Sequence, residues 1–398
     1  MGLSIIKSIR YAFVFLLIVI TLAGNSGSAA INPQLSNTTE QVPRENISRR
    51  TVETLSGGRT SVWTKEMMEK AQPYPIEISN EKLELSYTGS VVNETPVIIP
   101  GSLPSTLQNQ SDSTNESGIS LSSSSSGYEY PPPFVRYKNF DNSQETPIPN
   151  NNYNYYPFPY SAVGVIFFFQ GGAPFRCSAA TIGSNAIWTA GHCIHKGDGE
   201  LDDQGNVIDE GTWSTNVIFI PGYQAQDDPN YDYGSWASVE LWITPEWLGS
   251  QDLRFDMGGA VLQTYDPGNM KVSDVVGHLG FAYNLGSAQH WVNIGYPSAA
   301  PFDGSSQHIC AGSFAYEDLS MGDPNTDPLP VAMGCDMTRG SSGGPWIINL
   351  SGSQTLANIL NGNNSYRYTY HPDELFSPYF GAAAGSLYND LVNSSATN

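Results

Sequence analysis

The sequence has 398 residues, with 17 Lys or Arg against 38 Asp or Glu, and its formal net charge is −21. A surface this negative repels nucleic-acid phosphates and anionic lipid headgroups, which argues against nucleic-acid binding and against a polybasic membrane anchor. The 39 glycines and 27 prolines favour strands and turns over long helices. Hydrophobic residues make up only 39% of the chain, which indicates that part of it builds no core.

The amino terminus has the pattern of a secretory signal. Lys7 and Arg10 precede an apolar run at residues 11–23, and small residues follow up to Ala30. The run is short for a segment that must cross about 30 Å of hydrocarbon. We therefore predict a signal peptide at residues 1–30, cleaved after Ala29 or Ala30, and a secreted, extracellular protein with no stable membrane anchor. An uncleaved anchor is the alternative.

The next part of the chain, residues 31–150, is predicted to be a pro-segment followed by a Ser/Asn/Pro-rich linker. Its composition cannot bury much apolar surface, so we expect it to be extended or loosely folded and largely disordered. One short helix is predicted within residues 61–71, where a capping residue precedes apolar residues at helical spacing. The folded domain is predicted at residues 151–398.

Short apolar runs recur after Ser161, separated by Gly, Pro, Asn and Asp, as is typical of an all-β sandwich or barrel. A terminal helix is predicted at residues 385–392. The predicted strands are 162–169, 177–182, 186–189, 217–220, 239–243, 260–263, 291–294, 345–350 and 355–360.

Four cysteines in a secreted chain indicate two disulfides, for which three pairings are possible. The neighbour pairing joins Cys177 to Cys193 and Cys310 to Cys335. It closes two short loops, each worth about 3 kcal/mol on a chain-entropy estimate. The alternative is a metal site around His192 and Cys193. No second ligand pair follows at finger-like spacing, so we predict no metal and no cofactor.

Three short motifs carry residues suited to chemistry. TAGHC at residues 189–193 places His192 where an apolar strand turns, as a general base of fixed orientation requires. RFDMGGAVL at residues 254–262 puts Asp256 into an apolar strand, which is costly unless the acid is used. GSSGGP at residues 340–345 surrounds Ser342 with glycines, which let backbone N–H groups approach a substrate oxygen.

These motifs resemble the chymotrypsin-fold (trypsin-like) serine peptidases, and most of all the secreted microbial branch that includes the glutamyl endopeptidases. GYP at residues 295–297 and NGNNSY at residues 361–366 add to the resemblance, which covers residues 162–393. The order His, Asp, Ser, with gaps of 64 and 86 residues, makes the match specific. It implies an all-β fold of two six-stranded antiparallel barrels with a C-terminal helix.

The resemblance also implies a role for each matching residue. Ser342 would be the nucleophile, His192 the general base and Asp256 the residue that orients the imidazole. The backbone N–H groups of Gly340 and Ser342 would form the oxyanion hole. The expected function is that of a secreted, monomeric endopeptidase zymogen, made as a pre-proprotein and acting on protein or peptide substrates.

Several alternatives stay open at this point. The same barrel could be a catalytically silent binding protein, or the triad could serve an esterase. Asp252 is the nearest rival of Asp256. The serine motif also fits the nucleophile elbow of α/β-hydrolases, in which a histidine follows the serine, and here only His371 does. Ser341 stands where many animal relatives have an acid that receives a new amino terminus on activation, so activation is expected to differ.

Substrate preference is open as well. Asp336 lies six residues before Ser342, where an acid selects Lys or Arg in trypsin-like relatives. It also fits the Cys-Asp pair of glutamyl-specific relatives, in which the acid has no such role. Those relatives have a histidine in the pocket wall, and the matching position here is Asn364. Asp336 and Asn364 are therefore candidate pocket residues without a settled preference.

Overall fold

The structure is a computed structural model, and it describes a set of residue ranges that begins at residue 48. The predicted signal peptide and most of the predicted linker lie outside these ranges. Within them, no helix combines the length and the apolar character needed to cross a membrane. The described ranges are 48–51, 62–74, 76–79, 83–87, 89, 94–105, 135–136, 154–202, 207–225, 233–265, 268–322, 328–351 and 357–397.

Upstream of residue 160 the described residues form one helix and seven short strands. The helix lies within the predicted residues 61–71, and the Thr64 hydroxyl caps it by accepting a hydrogen bond from the Met67 N–H at 3.2 Å. The elements are β1 (Ser48–Thr51), α1 (Lys65–Lys70), β2 (Gln72–Pro73), β3 (Glu77–Ile78), β4 (Leu85–Ser86), β5 (Val97–Ile99), β6 (Val135–Arg136) and β7 (Asn154–Tyr155).

A closed barrel of six antiparallel strands follows. Its strands are β8 (Val163–Gln170), β9 (Ala173–Thr181), β10 (Ala186–Thr189), β13 (Thr215–Pro221), β14 (Trp236–Ile243) and β15 (Gly258–Leu262). The pairing runs β14, β13, β8, β9, β10, β15 and closes from β15 back to β14. A small hairpin and a helix lie in its loops: β11 (Glu200–Leu201), β12 (Val207–Asp209) and α2 (Pro245–Ser250).

The second half is another large sheet, which ends in the predicted terminal helix. Its path is β23, β19, β18, β17, β20, β21, β16 and β5. The elements are α3 (Val272–Val276), β16 (Gly280–Tyr283), β17 (His290–Gly295), β18 (His308–Asp318), β19 (Val331–Gly334), β20 (Pro345–Ile348), β21 (Ile359–Asn363), β22 (Arg367–Tyr368), β23 (Glu374–Ser377) and α4 (Ala382–Asn393).

The upstream strands extend both sheets, although this region was expected to be loose apart from one helix. β1 pairs with β14, β2 with β9, β4 with β18 and β5 with β16, while β3 pairs with β22 in parallel. Trp63 explains part of this docking. It is 6% exposed, lies 4.6 Å from the ring of Phe169, and donates its indole N–H to the Asn216 carbonyl at 2.8 Å. The described residues upstream of residue 160 therefore pack against the two sheets that follow.

Both disulfides follow the neighbour pairing. Cys177 and Cys193 join β9 to the turn after β10, and Cys310 and Cys335 join β18 to the residue after β19. The Cα atoms are 6.3 and 5.5 Å apart, within the usual range for disulfides. Each half of the fold therefore carries one covalent link between neighbouring strands.

Candidate active site

His192 and Asp256 form a buried pair on the first barrel. His192 lies on the 3-10 turn Gly191–Cys193 directly after β10, and Asp256 lies just before β15, with which β10 pairs. The imidazole Nδ1 is 2.8 Å from Asp256 Oδ2, and the His192 backbone N–H donates to Oδ1 at 2.8 Å. Because a carboxylate only accepts, Nδ1 carries the proton and Nε2 is left as a base.

Two further side chains donate hydrogen bonds to Asp256. The Ser365 hydroxyl donates to Asp256 Oδ2 at 2.5 Å, and the Asn363 side-chain amide donates to the Asp256 carbonyl at 3.3 Å. Asp256 is fully buried, so these bonds offset the cost of removing its charge from water. Ser365 is a site residue that sequence reasoning missed, although it lies within the NGNNSY block that supports the family resemblance.

Asp252, the rival acid, is engaged elsewhere. Its carboxylate accepts hydrogen bonds from the Arg254 guanidinium, with Nη2 at 2.6 Å, and caps the 3-10 turn Leu253–Phe255. The structure therefore brings Asp256, and not Asp252, to the imidazole.

Ser342 lies on a tight loop that only glycines can complete. Gly343 has φ +78°, and a Cβ there would lie 2.0 Å from the Thr189 hydroxyl oxygen. The Ser342 carbonyl accepts a hydrogen bond from the Ser178 N–H on β9 at 2.7 Å. This loop from the second half of the fold thus packs against the strand end that leads to His192.

The Arg339–Gly340 peptide, expected to supply one oxyanion donor, is held in one orientation by its carbonyl. The Arg339 carbonyl accepts hydrogen bonds from the N–H groups of Ser298 at 2.8 Å and Ala299 at 3.2 Å. In a trans peptide the N–H points opposite to the carbonyl, so the Gly340 N–H is turned away from Ser298. Within the described part of the chain, the N–H groups of Gly340 and Ser342 donate to no protein acceptor.

The imidazole of His192 lies beside the upstream segment. Nε2 is buried and has no hydrogen-bond partner among the described residues, so the bond to the Ser342 hydroxyl is not made in this structure. The ring of Tyr74 lies 5.1 Å from the imidazole. Burial, and to a lesser degree the nearby Asp256 charge, raise the pKa of Tyr74 to about 12, so this phenol is neutral at ordinary pH.

A small, open cavity lies beside Ser342. Met337 and Leu375 contribute apolar side chains, Arg339 and Arg367 are charged, and Ile76 from the upstream segment also lines it. The cavity has the mixed apolar and polar character of a side-chain pocket.

The two candidate pocket residues take different places. Asn364 lines the cavity, but its amide is fully used. Its oxygen accepts from Asn293 at 2.6 Å and from Trp346 at 2.8 Å, and its nitrogen donates to the Ser341 carbonyl at 3.0 Å. Among the described residues, Asp336 does not line the cavity. The contribution of Asp336 and Asn364 to substrate specificity stays a prediction.

The alternative metal site has no free thiolates. Cys177, His192 and Cys193 are the only group of potential ligands that lie close together in the described residues. Both sulfur atoms belong to one disulfide, and disulfide sulfur does not replace the thiolate that zinc needs. The TAGHC motif at residues 189–193 therefore supplies a cysteine to a disulfide and not to the alternative metal site.

The remaining histidines have local partners. His195 is held by the Glu210 carbonyl at 2.7 Å and the Gly197 N–H at 2.9 Å, and burial lowers its pKa. His371, the histidine that an α/β-hydrolase reading would need, lies near the surface 3.4 Å from Glu374. The other three contact neighbouring backbone, hydroxyl or ring atoms: His278, His290 and His308.

Searches with family models and among curated proteins find no match. Solved structures do match. The thermostable serine protease AL20, from an extremophilic microorganism, is 32% identical with a TM-score of 0.50, over 60% of this chain and 100% of that chain. The protease Anisep from Arthrobacter nicotinovorans is 31% identical with a TM-score of 0.50, over 59% and 97%.

A Glu endopeptidase in complex with MPD also matches, at 18% identity and a TM-score of 0.41, over 59% of this chain and 92% of that chain. This likeness is too distant to bear on specificity. The similarity to AL20 and Anisep spans nearly their whole length, and it agrees with the closed barrel, the second sheet and the C-terminal helix. The chain belongs to the chymotrypsin-fold serine endopeptidase family.

Proposed function

We propose that this protein is a secreted serine endopeptidase that hydrolyses peptide bonds with His192, Asp256 and Ser342. It is made as a pre-proprotein, with a signal peptide at residues 1–30, a pro-segment and linker at residues 31–150 and the protease domain at residues 151–398. The observation that carries this proposal is the buried His192–Asp256 pair, whose Nε2 has no hydrogen-bond partner among the described residues and is therefore available as a base.

The chemistry follows from these positions. Nε2 of His192 removes the Ser342 hydroxyl proton while the oxygen attacks the peptide carbonyl, and Asp256 stabilises the imidazolium that forms. The carbonyl oxygen becomes an oxyanion that the Gly340 and Ser342 N–H groups bind. His192 then gives its proton to the leaving amine, which leaves an acyl group on Ser342. Water, deprotonated by the same imidazole, hydrolyses that ester and restores the serine.

The upstream segment supports synthesis as a zymogen, because it covers this machinery. Tyr74 lies against the imidazole, Ile76 lines the cavity and Glu77 pairs with Arg367 at its edge. A substrate cannot occupy the same space. The missing Ser342–His192 hydrogen bond fits such a covered state, since catalytic hydrogen bonds are often long until substrate binds.

Activation should then require removal of the segment and little change in the loop. The Ser341 hydroxyl donates to the Thr338 carbonyl at 2.9 Å, and Asn364 holds the Ser341 carbonyl. These bonds fix the loop where an activation salt bridge would otherwise be needed. We propose that release of residues 62–105 exposes a cleft that is already shaped for catalysis.

Hydrolysis by the processed protein from culture medium tests the proposal. We expect turnover of a fluorescent protein substrate, and Ser342→Ala should lower kcat by about 10⁵–10⁶-fold, because the nucleophile of a triad cannot be replaced. Ser250→Ala is the matched control, since this exposed hydroxyl donates only to its own helix. Unchanged turnover in Ser342→Ala would overturn the assignment. Turnover of esters but not of peptides would favour an esterase.

A further inference from the structure

Two arginines meet one carboxylate at the edge of the Ser342 cavity. Arg367 donates to Glu77 Oε1 through Nε at 2.9 Å and Nη2 at 2.6 Å. Arg339 Nε lies 3.8 Å from the second oxygen, Oε2. Both arginines line the cavity that contains Ser342, and Glu77 belongs to the segment that covers it. The carboxylate of the covering segment is therefore held by two arginines that line the same cavity as Ser342.

The charge balance makes this pairing informative. Acidic residues outnumber basic ones 38 to 17 in this chain. Within the described residues, however, Glu77 is the only acid that forms an ion pair with Arg339 or Arg367. Removal of the segment would leave both guanidinium groups without an acidic partner. Arg339 Nε is buried and makes no hydrogen bond among the described residues even now.

The backbone shows how Glu77 reaches this place. β3 pairs with β22 in parallel, with Glu77 directly opposite Arg367 and Ile78 opposite Tyr368. The preceding residue, Ile76, lines the cavity. The segment thus presents an apolar side chain to the cavity and an acid to its rim, as a bound peptide would.

We propose that Arg367 and Arg339 form a substrate subsite that recognises an acidic side chain, and that Glu77 occupies this subsite until the segment is removed. The inference rests on the proposed function and adds the class of substrate. The processed enzyme then prefers peptides that carry Glu or Asp next to the cleaved bond or within a few residues of it.

Arginine suits this role better than lysine would. Its planar fork binds a carboxylate through two parallel N–H groups, and it stays charged at every working pH. The net charge of −21 repels acidic peptides only at long range, because salt screens exposed charges beyond about 10 Å. At the edge of the cavity, the positive charges of Arg367 and Arg339 act at short range and outweigh the repulsion from the net negative charge. The preference for acid should weaken as salt concentration rises.

The test begins with the processed wild-type enzyme and a peptide library, which locates the position where Glu or Asp is enriched. Two quenched fluorescent peptides are then made that differ only by Glu or Gln at that position. We expect kcat/KM to favour the Glu peptide by about tenfold or more. Arg367→Gln should abolish this ratio by lowering turnover of the Glu peptide, with turnover of the Gln peptide within about threefold of wild type. Arg339→Gln should have a smaller effect.

Lys196→Gln is the matched control. It removes the same charge from an exposed side chain that pairs with Asp198 and does not line the cavity, so the ratio should stay at its wild-type value. Absence of any acid enrichment would overturn the proposal. An equal loss of turnover on both peptides in Arg367→Gln would do the same.

A second measurement does not depend on the folding of any variant. A synthetic peptide of residues 71–79 should inhibit the wild-type enzyme, and the same peptide with Glu77→Gln should inhibit at least about tenfold more weakly. Equal inhibition would contradict the subsite. The two possible failures differ: no turnover of any peptide overturns the proposed function and the subsite with it, whereas turnover without acid preference overturns the subsite alone.

Discussion

The polar groups on the two sides of the cleft differ in whether they have hydrogen-bond partners within the protein. On the first barrel, Asp256 is buried and its carboxylate accepts hydrogen bonds from His192 and Ser365, so both the orientation and the tautomer of the imidazole are fixed. On the second half, the Gly340 N–H and Arg339 Nε have no acceptor within the described residues. The imidazole is thus held by internal hydrogen bonds, whereas the proposed substrate-binding donors have no acceptor among the described residues.

This difference separates two physical tasks. A proton acceptor must be held in one orientation, which is achieved by internal hydrogen bonds. Groups that stabilise a developing charge must be arranged beforehand but left without a partner, so that they bind it most strongly in the transition state. Substitutions on the two sides should therefore have different kinetic signatures.

The largest effect on the first side is expected from Asp256→Asn. An amide in place of the carboxylate favours the wrong imidazole tautomer, and a change of this kind in a triad lowers kcat by about 10⁴-fold. The measurement is kcat on a quenched peptide. Asp252→Asn is the control, because its carboxylate binds Arg254 and caps a turn. A comparable loss in Asp252→Asn would show that the wrong acid has been assigned.

On the second side, Gly340→Ala should lower kcat by about 10²–10³-fold, the usual cost of losing one oxyanion donor. Gly340 has φ +97°, and a Cβ would lie 2.1 Å from the Ser298 hydroxyl oxygen, so the peptide must turn. Gly286→Ala is the control, since a Cβ there meets no atom within 4 Å. Normal kcat in a folded Gly340→Ala protein, checked by thermal unfolding, would rule out this oxyanion hole.

A smaller effect is expected from Ser365→Ala, which removes one hydrogen bond from the buried Asp256 carboxylate. A hydrogen bond to a charged group contributes about 1.5–3 kcal/mol, and we expect kcat to fall by about tenfold because only part of it is needed for orientation. Ser287→Ala is matched, since this buried hydroxyl donates to Glu317 at 2.9 Å. It should lower the unfolding temperature without changing kcat. Equal kcat in the two variants would remove Ser365 from the site.

Sequence patterns were informative where a local rule operates. The strands at 163–170, 173–181 and 186–189 have apolar runs, and 163–170 and 186–189 are almost entirely buried. Glycines around Ser342 are required by a turn with positive φ. β18 was missed because its residues are only partly buried and include Gly312 and Ser313, so no apolar run marks it. The first residues of the predicted 355–360 strand lie outside the described residues, within which the strand begins at Ile359.

Contacts between distant residues outside the recognised motifs could not be predicted. Glu77 and Arg367 are 290 positions apart, and their pairing depends on a parallel contact between two short strands. Tyr74 likewise reaches the imidazole only through the docking of β2 on β9. Ser365 sat in a block recognised by resemblance, but its bond to Asp256 depends on how the two halves pack.

Covalent labelling of the processed protein tests the triad most directly. A fluorophosphonate reacts with a serine whose hydroxyl is activated by a neighbouring base, and mass analysis of the digested product locates the adduct. The account predicts one adduct, on Ser342, absent in Ser342→Ala and formed far more slowly in Asp256→Asn. No adduct on Ser342 in the folded, processed protein would contradict it.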